Sequence, residues 1–192
     1  MHRRSGFTVI ELMVVVAILA VVLTLAAPSF SSMLQMQRLR GTNAQVVTDM
    51  QFGRSEATAR RDFVRVYFKS DTTQSCYTLF TSPDRTTRCD CLLGPGAACS
   101  GGMVEIRTVR VPRSSGVTVE PPAAQSQAFA FDWRTGGIYA IPTDNAPRPM
   151  LQFTIESYLD TPRKLVTVLN QAGRPLACRP VDSTMSETAC VP

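Results

Sequence analysis

The chain has 192 residues, 44% of them hydrophobic, and a formal net charge of +5. This length suits one domain with an ordinary hydrophobic core, and the positive charge is too small to predict nucleic-acid binding by itself. The single histidine is His2, and the sequence has no paired-carboxylate motif, glycine-rich phosphate loop or zinc-ligand array, so we expect no enzymatic activity, no cofactor and no metal site.

The N-terminus combines a short basic leader, residues 1–6, with an apolar run over residues 7–27. The run is long enough to span a bilayer as one helix. Arg3 and Arg4 in the leader predict that the leader stays in the cytoplasm and that the rest of the chain lies on the other side. A secretory signal peptide cleaved after Ala27, an uncleaved anchor and a buried core helix are the competing interpretations.

Glu11 argues against all three alternatives. A carboxylate one turn into a membrane helix costs about 2–3 kcal/mol, so its presence indicates a function. It requires a cationic partner, which the N-terminal amine of a neighbouring identical helix would supply after cleavage at Gly6.

The stretch Gly6-Phe7-Thr8-Val9-Ile10-Glu11 before an apolar helix resembles the prepilin motif of type IV pilins and type II secretion pseudopilins. The resemblance implies cleavage after Gly6 by a prepilin peptidase, N-methylation of Phe7 and a role for Glu11 in filament assembly. It also implies that the partners are other pilin or pseudopilin subunits and an inner-membrane assembly platform.

The amphipathic pattern predicts that the helix continues over residues 28–61 and enters the globular domain. Pro28 should kink or loosen it. Beyond Pro28, one face recurs in steps of three and four residues and should pack on the chain's own domain: Met36, Leu39, Asn43, Val46, Met50, Gly53 and Ala57. The opposite face should be solvated or face neighbouring subunits: Arg38, Arg40, Asp49, Arg54, Glu56 and Arg60.

Residues 62–192 read as a β-rich domain, because short apolar or alternating runs are separated by glycine and proline turns. The predicted strands are Phe63–Phe68, Cys76–Thr81, Val104–Val111, Val117–Glu120, Ala128–Phe131, Gly137–Ile141, Leu151–Ser157 and Leu165–Leu169. Asp84–Gly102 should be an irregular surface loop. The fold class is therefore α+β, a long N-terminal helix with a transmembrane half and an amphipathic half, packed on an antiparallel sheet domain.

All six cysteines lie beyond the apolar run, at Cys76, Cys89, Cys91, Cys99, Cys178 and Cys190. An even number in an exported domain favours disulfides over a metal site, and the spacing is not that of a zinc ribbon. Cys89 and Cys91 cannot easily pair with each other, because alternate residues of an extended chain point apart. Two arrangements of the central four remain open, in which Cys76 takes either of that pair and Cys99 the other. Cys178 with Cys190 would close a C-terminal loop.

Two further segments are similar to minor pilins and pseudopilins of the GspH/FimT type. The first runs from Pro28 to Ala57, and the second runs from Val166 through Gly173-Arg174 to Cys178 and Cys190. Some members of this branch bind DNA through a C-terminal Gly-Arg-x-Arg motif, of which this chain has only the first half. Residues that could contact phosphates are Arg163, Lys164, Arg174 and Arg179; the alternative is that they are solvated charges around a hairpin.

The resemblances together predict a minor pilin of a type IV pilus, a subunit that primes or caps filament assembly. They also predict that a single span anchors it in the bacterial inner membrane, with its C-terminal domain in the periplasm. A type II secretion pseudopilin and a DNA-binding tip pilin for transformation are the alternatives.

Overall fold

The computed structural model describes residues 8–84, 87–123, 125–141, 148–160 and 162–190, without the side chains of residues 25–29 and 148. Gly6 and Phe7 therefore lie outside the described residues. The chain forms two compact units, one up to Gln37 and one from Arg38 onward.

A single helix, α1, runs over Val9–Arg60 and contributes to both units. Its helical backbone continues through Pro28. The helix ends at the predicted place because Arg61 adopts a left-handed conformation with φ of 55°, and the Asp62 N–H bonds back to the Ala57 carbonyl at 3.3 Å. This is the hydrogen-bond pattern that commonly terminates helices.

Among the described residues, ten strands follow α1. They are β1 Val64–Ser70, β2 Gln74–Thr81, β3 Val104–Pro112, β4 Thr118–Glu120, β5 Ala128–Phe131, β6 Ile138–Ala140, β7 Arg148–Pro149, β8 Gln152–Asp160, β9 Arg163–Asn170 and β10 Pro175–Cys178. A first sheet has the order β3-β2-β1-β5-β6-β7, and a second has the order β10-β9-β8-β4. All pairings within the two sheets are antiparallel. The antiparallel α+β architecture is as predicted.

All eight predicted strands are present, with small shifts at their ends. The sequence patterns missed β7 and β10 because β7 has only two residues and each of these strands contains a proline. Proline is typical of turns and of sheet edges, and both strands lie at an edge of their sheet.

The amphipathic stripe of α1 packs on the sheets as predicted. Leu39, Val46 and Met50 are fully buried. Gly53 allows the closest approach, since a Cβ atom there would lie 2.8 Å from Leu79 Cδ2. Phe153 of the second sheet packs against Phe129 of the first, with ring centroids 4.4 Å apart and the rings tilted by 42°. The core therefore lies where α1 and the two sheets meet.

Three disulfides are present, Cys76–Cys91, Cys89–Cys99 and Cys178–Cys190. The first two correspond to one of the two arrangements that the sequence left open. Cys76–Cys91 joins the segment 84–102 to β2, and Cys89–Cys99 closes a loop within that segment. The segment includes a short 3-10 turn at Cys91–Leu93. It is more than a surface loop, because Cys89 and Ala98 are buried against Phe80.

The third disulfide closes the C-terminal loop, and this loop contacts the helix. Arg40 Nε lies 2.6 Å from Glu187 Oε1, and Arg40 also donates to the Ser186 hydroxyl at 3.2 Å. Closing a loop of this length contributes about 3 kcal/mol by the chain-entropy estimate.

Candidate assembly and binding sites

Glu11 lies in the first turn of α1, and Thr8 directly precedes the helix. The Thr8 hydroxyl accepts a hydrogen bond from the Glu11 N–H at 3.3 Å, as the side chain of a helix N-cap does. A carboxylate in the first turn is favoured by the partial positive charge of the helix N-terminus.

The side chains around Glu11 are apolar and exposed in the single chain; Val9 and Ile10, for example, are 74% and 73% exposed. Glu11 is also the only charged residue between residues 8 and 37. An exposed apolar helical surface of this kind is typical of a surface that other apolar groups cover. Glu11 places one negative charge at a single position on that surface.

Residues 1–27 match the family model described as the prokaryotic N-terminal methylation motif. The chain carries the type IV prepilin signature. The signature supports a type IV pilin-like or pseudopilin protein, membrane anchoring, assembly with other pilin subunits and processing by a prepilin peptidase. No curated protein and no solved structure matches the chain significantly.

In the part of the chain that the structure describes, no helix combines the length and the apolar character needed to cross a membrane.

The four basic residues singled out for DNA contact are not brought together. Arg163 and Lys164 begin β9, whereas Arg174 follows the turn at the other end of that strand. Seven residue steps along a strand correspond to roughly 23 Å. Arg179 follows β10 and lies near the start of β9, because Cys178 pairs with Val166.

The three basic residues at the start of β9 have partners within the chain. Arg163 bonds to Asp160 at 2.6 Å, and Lys164 lies 3.1 Å from Asp182 and 3.4 Å from Glu156. Arg179 donates to the carbonyls of Glu187 and Ser183.

These pairings are also reflected in pKa values. The hydrogen bond from Arg163 lowers the pKa of Asp160, and the hydrogen bond from Lys164 lowers that of Asp182. Burial lowers the pKa of Lys164, but Asp182 and Glu156 together outweigh burial and the net shift is upward. The charges of Arg163 and Lys164 are therefore balanced by neighbouring carboxylates, and DNA contact by these residues stays a prediction.

Asp49 corrects the prediction for the outer face of α1. Its side chain is 1% exposed, not solvated. Tyr77, itself fully buried, donates its hydroxyl to Asp49 Oδ2 at 2.7 Å. Arg107 Nε lies 3.1 Å from Oδ1 as an ion pair, although it is not aligned as a hydrogen bond.

Burial raises the pKa of Asp49, while the Tyr77 hydrogen bond and the Arg107 charge oppose that shift. Burial and the neighbouring carboxylate raise the pKa of Tyr77 well above its ordinary value. The helical period alone could not identify this network, because its three members come from α1, β2 and β3 and meet only in the folded chain.

Trp133 lies in the turn between β5 and β6 and is partly exposed. The Arg134 guanidinium is stacked over its ring, 4.8 Å from the ring centroid.

Proposed function

We propose that this chain is a minor pilin of a type IV pilus, a membrane-anchored subunit that primes or caps filament assembly and is not an enzyme. The observation that carries the proposal is the prepilin signature at residues 1–27 with Glu11 in the first turn of an exposed apolar helix.

Glu11 provides the recognition step. After cleavage at Gly6, the new N-terminal amine of Phe7 is cationic, and in a bundle of such helices it can neutralise the Glu11 carboxylate of a neighbouring subunit. An unpaired carboxylate in an apolar bundle is costly, so pairing selects the correct axial position of the incoming helix. The α+β unit from Arg38 onward would then be displayed on the periplasmic side of the inner membrane and on the filament surface.

The specialised features of that unit favour a minor over a major subunit. Three disulfides hold a relatively elaborate domain, and two of them are concentrated around the segment 84–102. Such cross-linking stabilises a domain in an oxidising compartment.

A type II secretion pseudopilin is the second candidate, because the same signature serves both filaments. Deletion separates the two: loss of piliation or twitching supports the pilin, and loss of exported enzymes supports the pseudopilin. A role in DNA uptake would have to rely mainly on Arg174, since Arg163, Lys164 and Arg179 have partners within the chain.

The proposal is tested by the N-terminal mass and sequence of the chain recovered from its native membrane. The native chain should start at methylated Phe7, and the Gly6→Ala variant should start at Met1. Glu11→Ala should be processed normally but be missing from sheared filaments, whereas Glu56→Ala, at an exposed i,i+4 ion pair, should be incorporated. A native chain that starts at Met1 or near Pro28 would exclude the proposal.

A further inference from the structure

Two turns of the α+β unit meet at the end opposite the Arg163–Lys164 region. They are the β5–β6 turn, residues 132–137, and the β9–β10 turn, residues 170–174. Gly173 packs so closely that a Cβ atom there would lie 2.1 Å from the Gly136 carbonyl oxygen. Arg54 of α1 donates to that same carbonyl at 3.1 Å. The contact of the two turns is therefore fixed by backbone packing.

An open groove of about 580 Å³ lies beside this contact. Its apolar part is formed by Tyr139, Pro149 and Leu151, of which Leu151 is 80% exposed. Asn170 and Gln171 also line the groove, and the Asn170 side-chain oxygen accepts from the backbone N–H of Arg174 at 3.0 Å. Amide side chains can both donate and accept hydrogen bonds.

Three arginines surround the same two turns. Arg134 immediately precedes the groove residue Thr135, Arg174 follows Gly173, and Arg54 reaches the turn from α1. Arg134 and Arg174 are exposed. The carboxylate in these turns is Asp132, which is buried and accepts from the backbone N–H of Arg134 at 3.0 Å and from the Thr135 hydroxyl at 3.1 Å. The Asp132 charge reduces the positive potential of the arginines, but its carboxylate oxygens are hydrogen-bonded within the turn.

We propose that this groove binds an extended acidic segment of a protein partner. An apolar side chain of the segment would cover Tyr139 and Leu151, and its carboxylates would pair with Arg134 and Arg174. Carboxylates suit the planar guanidinium group, which can bind both oxygens at once. The apolar floor favours a peptide over a nucleic-acid strand, whose phosphates and sugars would leave Leu151 and Pro149 uncovered. The proposal rests on the α+β unit alone and does not depend on the filament role.

Trp133 allows a direct test, because it is the only tryptophan of the chain and lies next to Arg134. The full-length chain in detergent is titrated with a synthetic eight-residue peptide of alternating leucine and aspartate while tryptophan fluorescence is recorded. We expect a saturable change at low salt. The combined substitution Arg134→Ala and Arg174→Ala should weaken binding about tenfold, as expected for two exposed ion pairs, and Leu151→Ser by a similar factor.

The matched control is Arg163→Ala, which removes an arginine at the other end of β9 and should leave the affinity unchanged. Two comparison peptides separate the contributions: alternating serine and aspartate tests charge alone, and alternating leucine and lysine tests apolar contact alone. Both should bind weakly.

Charge reversal gives an independent criterion. Arg134→Glu with Arg174→Glu should lose the leucine–aspartate peptide and gain the leucine–lysine peptide, a gain that a misfolded chain would not show. The proposal is wrong if the leucine–aspartate peptide gives no saturable change, if serine–aspartate binds equally well, or if single-stranded oligothymidine binds more tightly than either peptide.

Discussion

Replacing Tyr77 by phenylalanine tests how the buried carboxylate of Asp49 is tolerated between α1 and the first sheet. The substitution keeps the ring and removes only the hydroxyl that donates to Asp49 Oδ2 at 2.7 Å. No cavity of consequence is created, so the effect reports the lost hydrogen bond. Asp49 would keep the Arg107 ion pair on Oδ1, which is not aligned as a hydrogen bond.

A hydrogen bond to a charged partner contributes about 1.5–3 kcal/mol. We therefore expect Tyr77→Phe to lower the free energy of unfolding by about 2 kcal/mol. For a chain of this size, that loss corresponds to a decrease in Tm of about 4–8 °C. Chemical unfolding followed by circular dichroism, with the disulfides intact, measures the change.

The control is Tyr67→Phe. Tyr67 is half-buried beneath the Arg88 guanidinium, and within the described residues its hydroxyl makes no hydrogen bond. Phenylalanine would keep the ring there, so a loss below about 0.5 kcal/mol is expected. Equal effects of the two substitutions would show that the Tyr77 hydroxyl does not stabilise Asp49, and the reasoning would be refuted.

Two further predictions follow from the same unit. Burial raises the pKa of Asp49 above its ordinary value of 3.8, so the folded chain binds the carboxyl proton more strongly than the unfolded chain. The resulting stabilisation is complete below pH 3.8 and is lost as the pH rises through the folded-state pKa. Asp49→Asn should therefore gain stability relative to the native chain as the pH rises above the ordinary value of 3.8, measured by unfolding at a series of pH values. A relative loss of stability over that rise would contradict the assignment. Gly173→Ala should lower the free energy of unfolding by at least about 3 kcal/mol, because φ is +69° and the added methyl group would meet the Gly136 carbonyl. Gly96→Ala is the control: φ is +79° but the space around it is open, so a loss of about 1 kcal/mol is expected. Equal losses in thermal unfolding of the two variants would exclude the backbone contact as the cause.

Gly173 also shows how one residue can carry two interpretations. In the sequence it forms part of a Gly-Arg pair that is similar to half of a DNA-binding motif. In the fold it is required for the close contact with Gly136, whether or not Arg174 binds anything. The glycine by itself is therefore no evidence for a ligand.

The sequence alone determined the prepilin signature, the end of α1 near residue 60, the buried stripe from Leu39 to Ala57 and eight of the strands. These features follow from local patterns: the period of apolar residues along a helix or strand, the turn residues between strands and the charges flanking an apolar run. Such features can be predicted from residues that are near one another in the chain.

Only the tertiary structure decided which features meet. It paired Cys76 with Cys91, buried Asp49 against Tyr77, separated Arg174 from Arg163 and placed Arg174 beside the β5–β6 turn. Each result depends on the order and register of strands that are distant in sequence. The position of a charged residue in the helical repeat is the same whether its side chain faces solvent or a tyrosine hydroxyl. The environment of Asp49 therefore depends on how the sheets pack on α1.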